Sequence, residues 1–209
     1  MDRRKEIVRE AYDAIADKYL EWSRDSRVRA NYLTKFLSLL PARGAQVLEL
    51  GCGAGLPVTK ALAEHARVTA VDISSAQIAR AAANAPSAKV LCADMMALDF
   101  PDASFDAVCA FYAITHLPRE EHAELFRRVA RWLKPNGYFL ASLGAFGTDA
   151  EDENWLGAPN FFSHYDAETN LKLLTDAGFA IVEHETRLQD LSGEENLRFL
   201  WVFARKPQP

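Results

Sequence analysis

Three carboxylates stand at the ends of three successive apolar runs: Glu49 in QVLEL, Asp72 after RVTAV and Asp94 after KVLCA. Between Glu49 and the next helical pattern lies Gly51-Cys52-Gly53-Ala54-Gly55. Lacking a Cβ, such glycines permit a tight turn and let the backbone approach a ligand closely. The spacing is GxGxG rather than the GxGxxG of a dinucleotide site, and a carboxylate precedes it, which disfavours a pyrophosphate seated on the following helix. A negative side chain beside the loop suits a ligand that carries an amino group and a sulfonium. Asp72 follows Gly55 by seventeen residues, where an acid can accept hydrogen bonds from both hydroxyls of a ribose. Taken singly, an Asp after a strand reads as a turn or helix cap. Together with the glycine loop and Asp94 it reads as one site.

Two imidazoles stand where they could take a proton: His116 in AITHLP, just past the fourth apolar run, and His164 in FFSHYDAETN. A hydrogen-bonded structural histidine is the alternative for each. His65, His122 and His184 have no supporting partner and receive no role. Cys52, Cys92 and Cys109 are odd in number and lack CxxC or Cys/His spacing, so neither a disulfide framework nor a metal site is expected.

These residues need a scaffold, and the hydropathy pattern supplies one. Val8, Tyr12, Ile15, Tyr19 and Trp22, then Val28, Tyr32, Phe36 and Leu39, recur at helical steps, predicting two amphipathic helices ended by Pro41 and Gly44. Short apolar runs then alternate with helical stretches: 46–50, helix 56–65 with Pro57 in its first turn, 67–71, helix 75–83, 89–93, 105–112, helix 119–133 and 137–143. That alternation predicts parallel strands joined by crossover helices that cover both faces. Residues 144–159 read as a loop, followed by a helix over 167–177 and two β-like runs, 179–188 and 196–206. The polar stretch 189–195 between these runs is too short for a crossover helix, so they pair antiparallel.

Composition narrows the partners. The 209 residues carry a net charge of −5 and are 49% hydrophobic, which suits one domain with a sizeable core. No Lys/Arg stripe is present, which disfavours nucleic acid. Charges interrupt every apolar stretch of the N-terminal segment, so neither export nor a membrane is expected and a reducing cytoplasm fits best.

ELGCGAG, VDIS, ADM, FDAVCAFYAITHLP and WLKPNGYFL together resemble the class I S-adenosylmethionine-dependent methyltransferases over residues 12–206, with a further similarity to a bacterial small-molecule subgroup in WLGAPNFFSHYDAETN. The resemblance implies an α/β, Rossmann-like fold: a mostly parallel seven-stranded sheet with an antiparallel last strand, helices on both faces and an N-terminal helical lid. It divides a single domain, 1–209, into that lid (1–40), a cofactor-binding core (45–143), an acceptor lid and helix (144–178) and a C-terminal β-hairpin (179–206). It implies S-adenosylmethionine as cofactor, with Glu49, Gly51, Cys52, Gly53 and Gly55 along it, Asp72 and Ile73 at the ribose, Asp94 and Met95 at the adenine, and Phe111 near the methionine part. Tyr12 and Tyr19 would cover the cofactor, or simply pack.

The reaction so implied is methyl transfer by in-line displacement to a small-molecule acceptor, driven mainly by positioning. His116 is the first candidate for base or substrate contact and His164 the second. The segment 145–170 lies where the acceptor lid belongs. There Trp155, Phe161, Phe162, His164 and Tyr165, with Tyr112, would wall an aromatic pocket suited to a flat or hydrophobic acceptor. A monomer or homodimer is expected. The competing readings are cofactor binding without methyl transfer, as in a regulator, another transfer or a ring closure, and a nicotinamide-dependent dehydrogenase.

Overall fold

The computed structural model describes residues 2–41, 44–191 and 197–208. Five strands follow the predicted alternation: β1 (Gln46–Leu50), β2 (Arg67–Asp72), β3 (Lys89–Cys92), β4 (Phe105–Ala110) and β5 (Leu133–Gly144). β1 runs parallel to both β2 and β4, with Val47 opposite Val68 on one side and Ala107 on the other. Alternate residues of a strand face opposite ways. Leu48, Val108 and Phe139 therefore join Phe126 and Trp132 in one core layer, while Val47, Ala107 and Leu140 join Phe36 and Leu62 in the other.

The crossover helices are α4 (Val58–Ala63), α5 (Ser75–Asn84) and α6 (His122–Trp132), and α7 (Ala167–Asp176) precedes the C-terminal strands. β8 (Ala180–Leu188) and β9 (Arg198–Arg205) pair antiparallel, and β9 inserts between β5 and β8, with Ser142 opposite Trp201. The order is β3-β2-β1-β4-β5-β9-β8, so β9 is the antiparallel strand. Of the polar stretch expected to join these two strands, residues 192–196 lie outside the described residues. Strand order reverses between β1 and β4, and the carboxyl ends of strands at such a point open a crevice for ligands.

Two expectations are corrected. The first forty residues form three helices, not two: α1 (Arg3–Ala14), α2 (Ala16–Ser23) and α3 (Arg27–Ser38). Ile15 leaves the helical region at φ −107°, and Ser26 begins α3 as an N-cap that accepts from Arg29 N. The expected loop 144–159 is instead the start of a hairpin, β6 (Thr148–Trp155) and β7 (Ala158–His164). Leu156 and Gly157, both at positive φ, make its two-residue turn. β7 lies against α1, where Ile7, Val8, Tyr12 and Phe161 form a small separate core.

Candidate active site

The glycine loop is held from both sides. Gly51 N and Cys52 N donate to Val71 O at 2.7 and 2.9 Å, drawing the loop onto the neighbouring strand. A Cβ on Gly51 would lie 2.2 Å from that of Ala113, and its φ is +74°, so no other residue fits. Gly53 N donates to Asp72 Oδ2 at 2.9 Å, and Ser74 N donates to Asp72 Oδ1 at 2.9 Å. Asp72 thus fixes the loop and the turn into α5 while facing the crevice. Burial pushes its carboxyl up to about 6, against the pull of these two amides. Gly55 departs from expectation: its missing Cβ faces Ala81 Cα at 3.0 Å, so it lets α5 pack close rather than lying along the crevice.

Glu49, 2% exposed, accepts a 2.7 Å bond from Thr59 Oγ1. Burial holds its carboxyl up at about 8, reinforced by the charge of Asp72 and opposed by Thr59 and Arg29. Arg29, from α3, is equally buried; its Nη2 donates to Ser23 O and Arg24 O at 2.6 and 3.0 Å, and its Nε has no partner. Glu49, Arg29, Tyr19, Cys52 and Phe111 line one recess, which adjoins a chamber lined by Gly51, Gly53, Asp72, Ile73, Asp94 and Met95. A buried guanidinium with an open N–H, a buried carboxyl and a carboxylate at a strand end provide partners for a carboxylate, an ammonium and a diol. The residues therefore fit a nucleoside joined to an amino acid.

Asp94 lies two residues past β3 and is bound at both oxygens: Met96 N donates to Oδ1 and Lys5 Nζ to Oδ2, each at 2.9 Å. Lys5 also meets Glu121 Oε2 at 2.5 Å. Burial alone would lower the Lys5 ammonium, but its bonds to Glu121 and Asp94 outweigh it and hold it raised. Asp13 accepts from Ser74 Oγ at 2.6 Å and Ala76 N at 3.0 Å, pinning α1 to the start of α5. The N-terminal helices thereby roof the chamber with Lys5, Val8, Tyr12 and Tyr19.

A second cavity, of about 350 Å³, lies on the other side of that roof, walled by Trp22, Trp155, Phe162 and Phe199 with Thr115, Thr148 and His164. Tyr12, Tyr19, Tyr112 and His116 line both spaces. Tyr112 sits at φ +57° and donates from Oη to Gln189 Oε1 at 2.7 Å. His116 Nδ1 lies 2.8 Å from Phe161 O and Nε2 2.8 Å from Tyr12 Oη. Burial pushes His116 down to about 4, so it is neutral at pH 7. His164 Nδ1 donates to Phe146 O at 2.6 Å, and burial lowers this imidazole too.

Two residues expected at the acceptor lie elsewhere. The Phe161 ring packs with Ile7 and Val8 and offers the site only its carbonyl. The Tyr165 ring sits 5.9 Å from that of His122, with the Arg119 guanidinium 5.7 Å above it. Lys5, Arg29, Trp22 and Thr115 were not legible as site residues. Lys5 does stand three and seven residues before Val8 and Tyr12, and Arg29 three and seven before Tyr32 and Phe36, a spacing that places each on the buried helical face. Among the described residues, none of the helices is long and apolar enough to cross a membrane, and no group of three His, Cys, Asp or Glu is placed to hold a metal.

Comparison with known proteins gives this arrangement relatives. The methyltransferase domain family matches residues 47–137. Over 111 residues the chain is 39% identical to 27-O-demethylrifamycin SV methyltransferase of Amycolatopsis mediterranei, a match covering 49% of this chain and 40% of that protein. Over 116 residues it is 35% identical to a sterol 24-C-methyltransferase of Gibberella zeae, covering 52% of this chain and 30% of that one. The chain thus spans less than half the length of these two relatives. The crystal structure of a S-adenosylmethionine-dependent methyltransferase from Mesorhizobium loti superposes with a TM-score of 0.64 at 25% identity, covering 82% of this chain and 96% of that one.

Proposed function

On the similarity of residues 47–137 to the methyltransferase domain family and of the chain to two methyltransferases over about half its length, we propose that it is an S-adenosylmethionine-dependent methyltransferase that binds its cofactor along the glycine loop and transfers the methyl group to a small, flat or apolar molecule held in the second cavity. One observation carries this reading: the chamber of the acidic and glycine residues and the aromatic cavity meet at a shared wall of Tyr12, Tyr19, Tyr112 and His116. A donor on one side and an acceptor on the other would face each other across that wall.

When bound, S-adenosylmethionine supplies an activated methyl group on a sulfonium. The chain's own residues do the rest. Asp72 receives the ribose hydroxyls, Asp94 and the backbone at Met95 the base, and Arg29 and Glu49 the carboxylate and ammonium of the amino-acid end. The faces of Tyr12 and Tyr19 attract positive charge by about 0.5–2 kcal/mol. The roof of α1 and α2 excludes water, and the second cavity holds the acceptor in line, where positioning supplies most of the rate. His116, neutral and buried, is the group available to take a proton from an acceptor that carries one. The aromatic walls favour a flat or apolar molecule, in keeping with the rifamycin and sterol methyltransferases among the relatives.

Incubation with S-adenosylmethionine and a panel of flat aromatic, polyketide-like and sterol-like molecules tests the reading. The expected products are S-adenosylhomocysteine and an acceptor heavier by one methylene unit, both detected by mass spectrometry. Tight binding of S-adenosylmethionine with no consumption across the panel would support cofactor binding without methyl transfer instead.

A further inference from the structure

The wall between the two spaces contains a directed proton path. Phe161 O offers only lone pairs to His116 Nδ1, so Nδ1 carries the ring proton and Nε2 presents a lone pair. The Tyr12 hydroxyl, 2.8 Å away, therefore donates to Nε2. This has two consequences for an acceptor in the aromatic cavity. His116 Nε2 is already occupied, so the acceptor does not reach the imidazole directly. Tyr12 Oη, in contrast, is approached as an acceptor by the buried Asn160 amide, and a phenol oxygen has two lone pairs, so one is left for a further donor.

Building on the methyltransferase reading, we propose that the acceptor is an aromatic hydroxyl compound, and that its phenolic proton passes to Tyr12 Oη as the proton of Tyr12 passes to His116 Nε2. The electron pair left on the phenolic oxygen forms the new bond to the methyl carbon. The methyl–sulfur bond breaks with its pair going to sulfur, so the sulfonium becomes a neutral thioether and the phenol a methyl ether. The transferred proton rests on His116, whose two N–H groups then point at Phe161 O and Tyr12 Oη, and it returns to water when the product leaves.

Tyr12 suits a relay rather than a base. Burial, with the charge of Asp72 nearby, raises its phenol well above the ordinary range, so it passes on a proton only by giving up its own as it takes another. His116 is neutral at pH 7 with its lone pair present, and because burial holds it at about 4 it is a weak base, so its protonation accompanies methyl transfer rather than preceding it. The cavity walls of Trp155, Trp22 and Phe162 match a planar ring, and the rings of Tyr12 and Trp155 meet edge-on at 5.7 Å. In this scheme Tyr12 touches the acceptor and His116 is a positioning residue that acts through it.

The test uses the full chain with a series of phenols, from nitrophenols that are ionised at the assay pH to alkylphenols and polycyclic phenols that are not. Tyr12→Phe and His116→Asn should each slow methylation of the protonated phenols by about 10²–10⁴-fold, the range of general-base assistance. The loss should shrink to a few fold for the ionised nitrophenols, which have no proton to relay. Calorimetric titration with S-adenosylmethionine should give both variants wild-type affinity within about threefold. Apart from any turnover, nitrogen-15 NMR of the histidine rings should show His116 as the Nδ1–H tautomer, with an Nε2 resonance that shifts in Tyr12→Phe.

An equal loss across ionised and protonated phenols would overturn the relay and leave the pair a structural latch. So would the opposite tautomer. Wild-type consumption of S-adenosylmethionine with amines or thiols but with no phenol would overturn the acceptor class while leaving the methyltransferase reading intact. Failure of the wild type to bind S-adenosylmethionine would remove both. If Tyr12→Phe does not fold, His116→Asn and the tautomer measurement decide.

Discussion

Cofactor binding should expel a proton from Glu49. In the free chain burial holds this carboxyl at about 8, so at pH 7 the protonated fraction is 10/(1 + 10), about 0.9. An ammonium brought against it stabilises the ionised form, and the proton must leave. Deprotonating Glu49 at pH 7 then costs about 1.4 kcal/mol, a tenfold penalty in affinity. The dissociation constant should fall about tenfold between pH 6 and pH 7 and level off above pH 8. Asp72, held at about 6, adds only about 0.1 proton at pH 7. The assay is calorimetric titration with S-adenosylmethionine at pH 7 in phosphate and in Tris, whose ionisation enthalpies differ widely. The apparent binding enthalpies should differ by about the whole of that gap in the wild type and by only about a tenth of it in Glu49→Gln. Equal enthalpies in both buffers for the wild type would refute the argument that Glu49 is protonated before binding and ionised after it.

Other variants probe the scaffold. Gly51→Ala places a methyl 2.2 Å from Ala113 Cβ at a φ of +74°; overpacking and backbone strain together should cost about 2–5 kcal/mol, read as a lower urea midpoint. Lys5→Met leaves Asp94 and Glu121 without their buried cation and should loosen the N-terminal roof, so limited proteolysis before Pro41 should be faster than in the wild type and less fully suppressed by added cofactor. His122 is pushed down to about 4 by burial from an ordinary 6.5, so the unfolded chain holds the extra proton between those values. Its contribution is present above pH 6.5 and lost as the pH falls toward 4, about 3 kcal/mol in all. Urea midpoints of His122→Gln should therefore gain on the wild type between pH 7 and pH 4.5.

The parallel core was legible because its signals are local. Apolar runs of strand length alternate with helical stretches, and the glycine loop and Asp72 stand at strand ends where only a few chemistries make sense. The lid was harder to read. TDAEDENW, which forms β6, is almost wholly acidic and polar, so nothing in its own composition asks for a strand. It becomes one by pairing with β7, whose Phe161 and Phe162 lie opposite Glu151 and Ala150. Long-range pairing of that kind leaves no periodic trace in the chain. Lys5 and Arg29 were hidden for a related reason. A charged residue in an amphipathic helix counts as solvent face until its partners are known, and the partners of Lys5 lie 89 and 116 residues away. Phe161 shows the opposite failure. Its ring looked like a pocket wall, yet its carbonyl is what reaches the site, and a sequence carries no record of where a backbone carbonyl points.

Equilibrium titration of the purified chain with S-adenosylmethionine, with NAD as control, tests most directly whether the chamber holds a nucleoside joined to an amino acid. Micromolar affinity for S-adenosylmethionine, lost in Asp72→Ala, together with no detectable affinity for NAD, is the predicted result. Binding of NAD in preference to S-adenosylmethionine, or of neither, would contradict it.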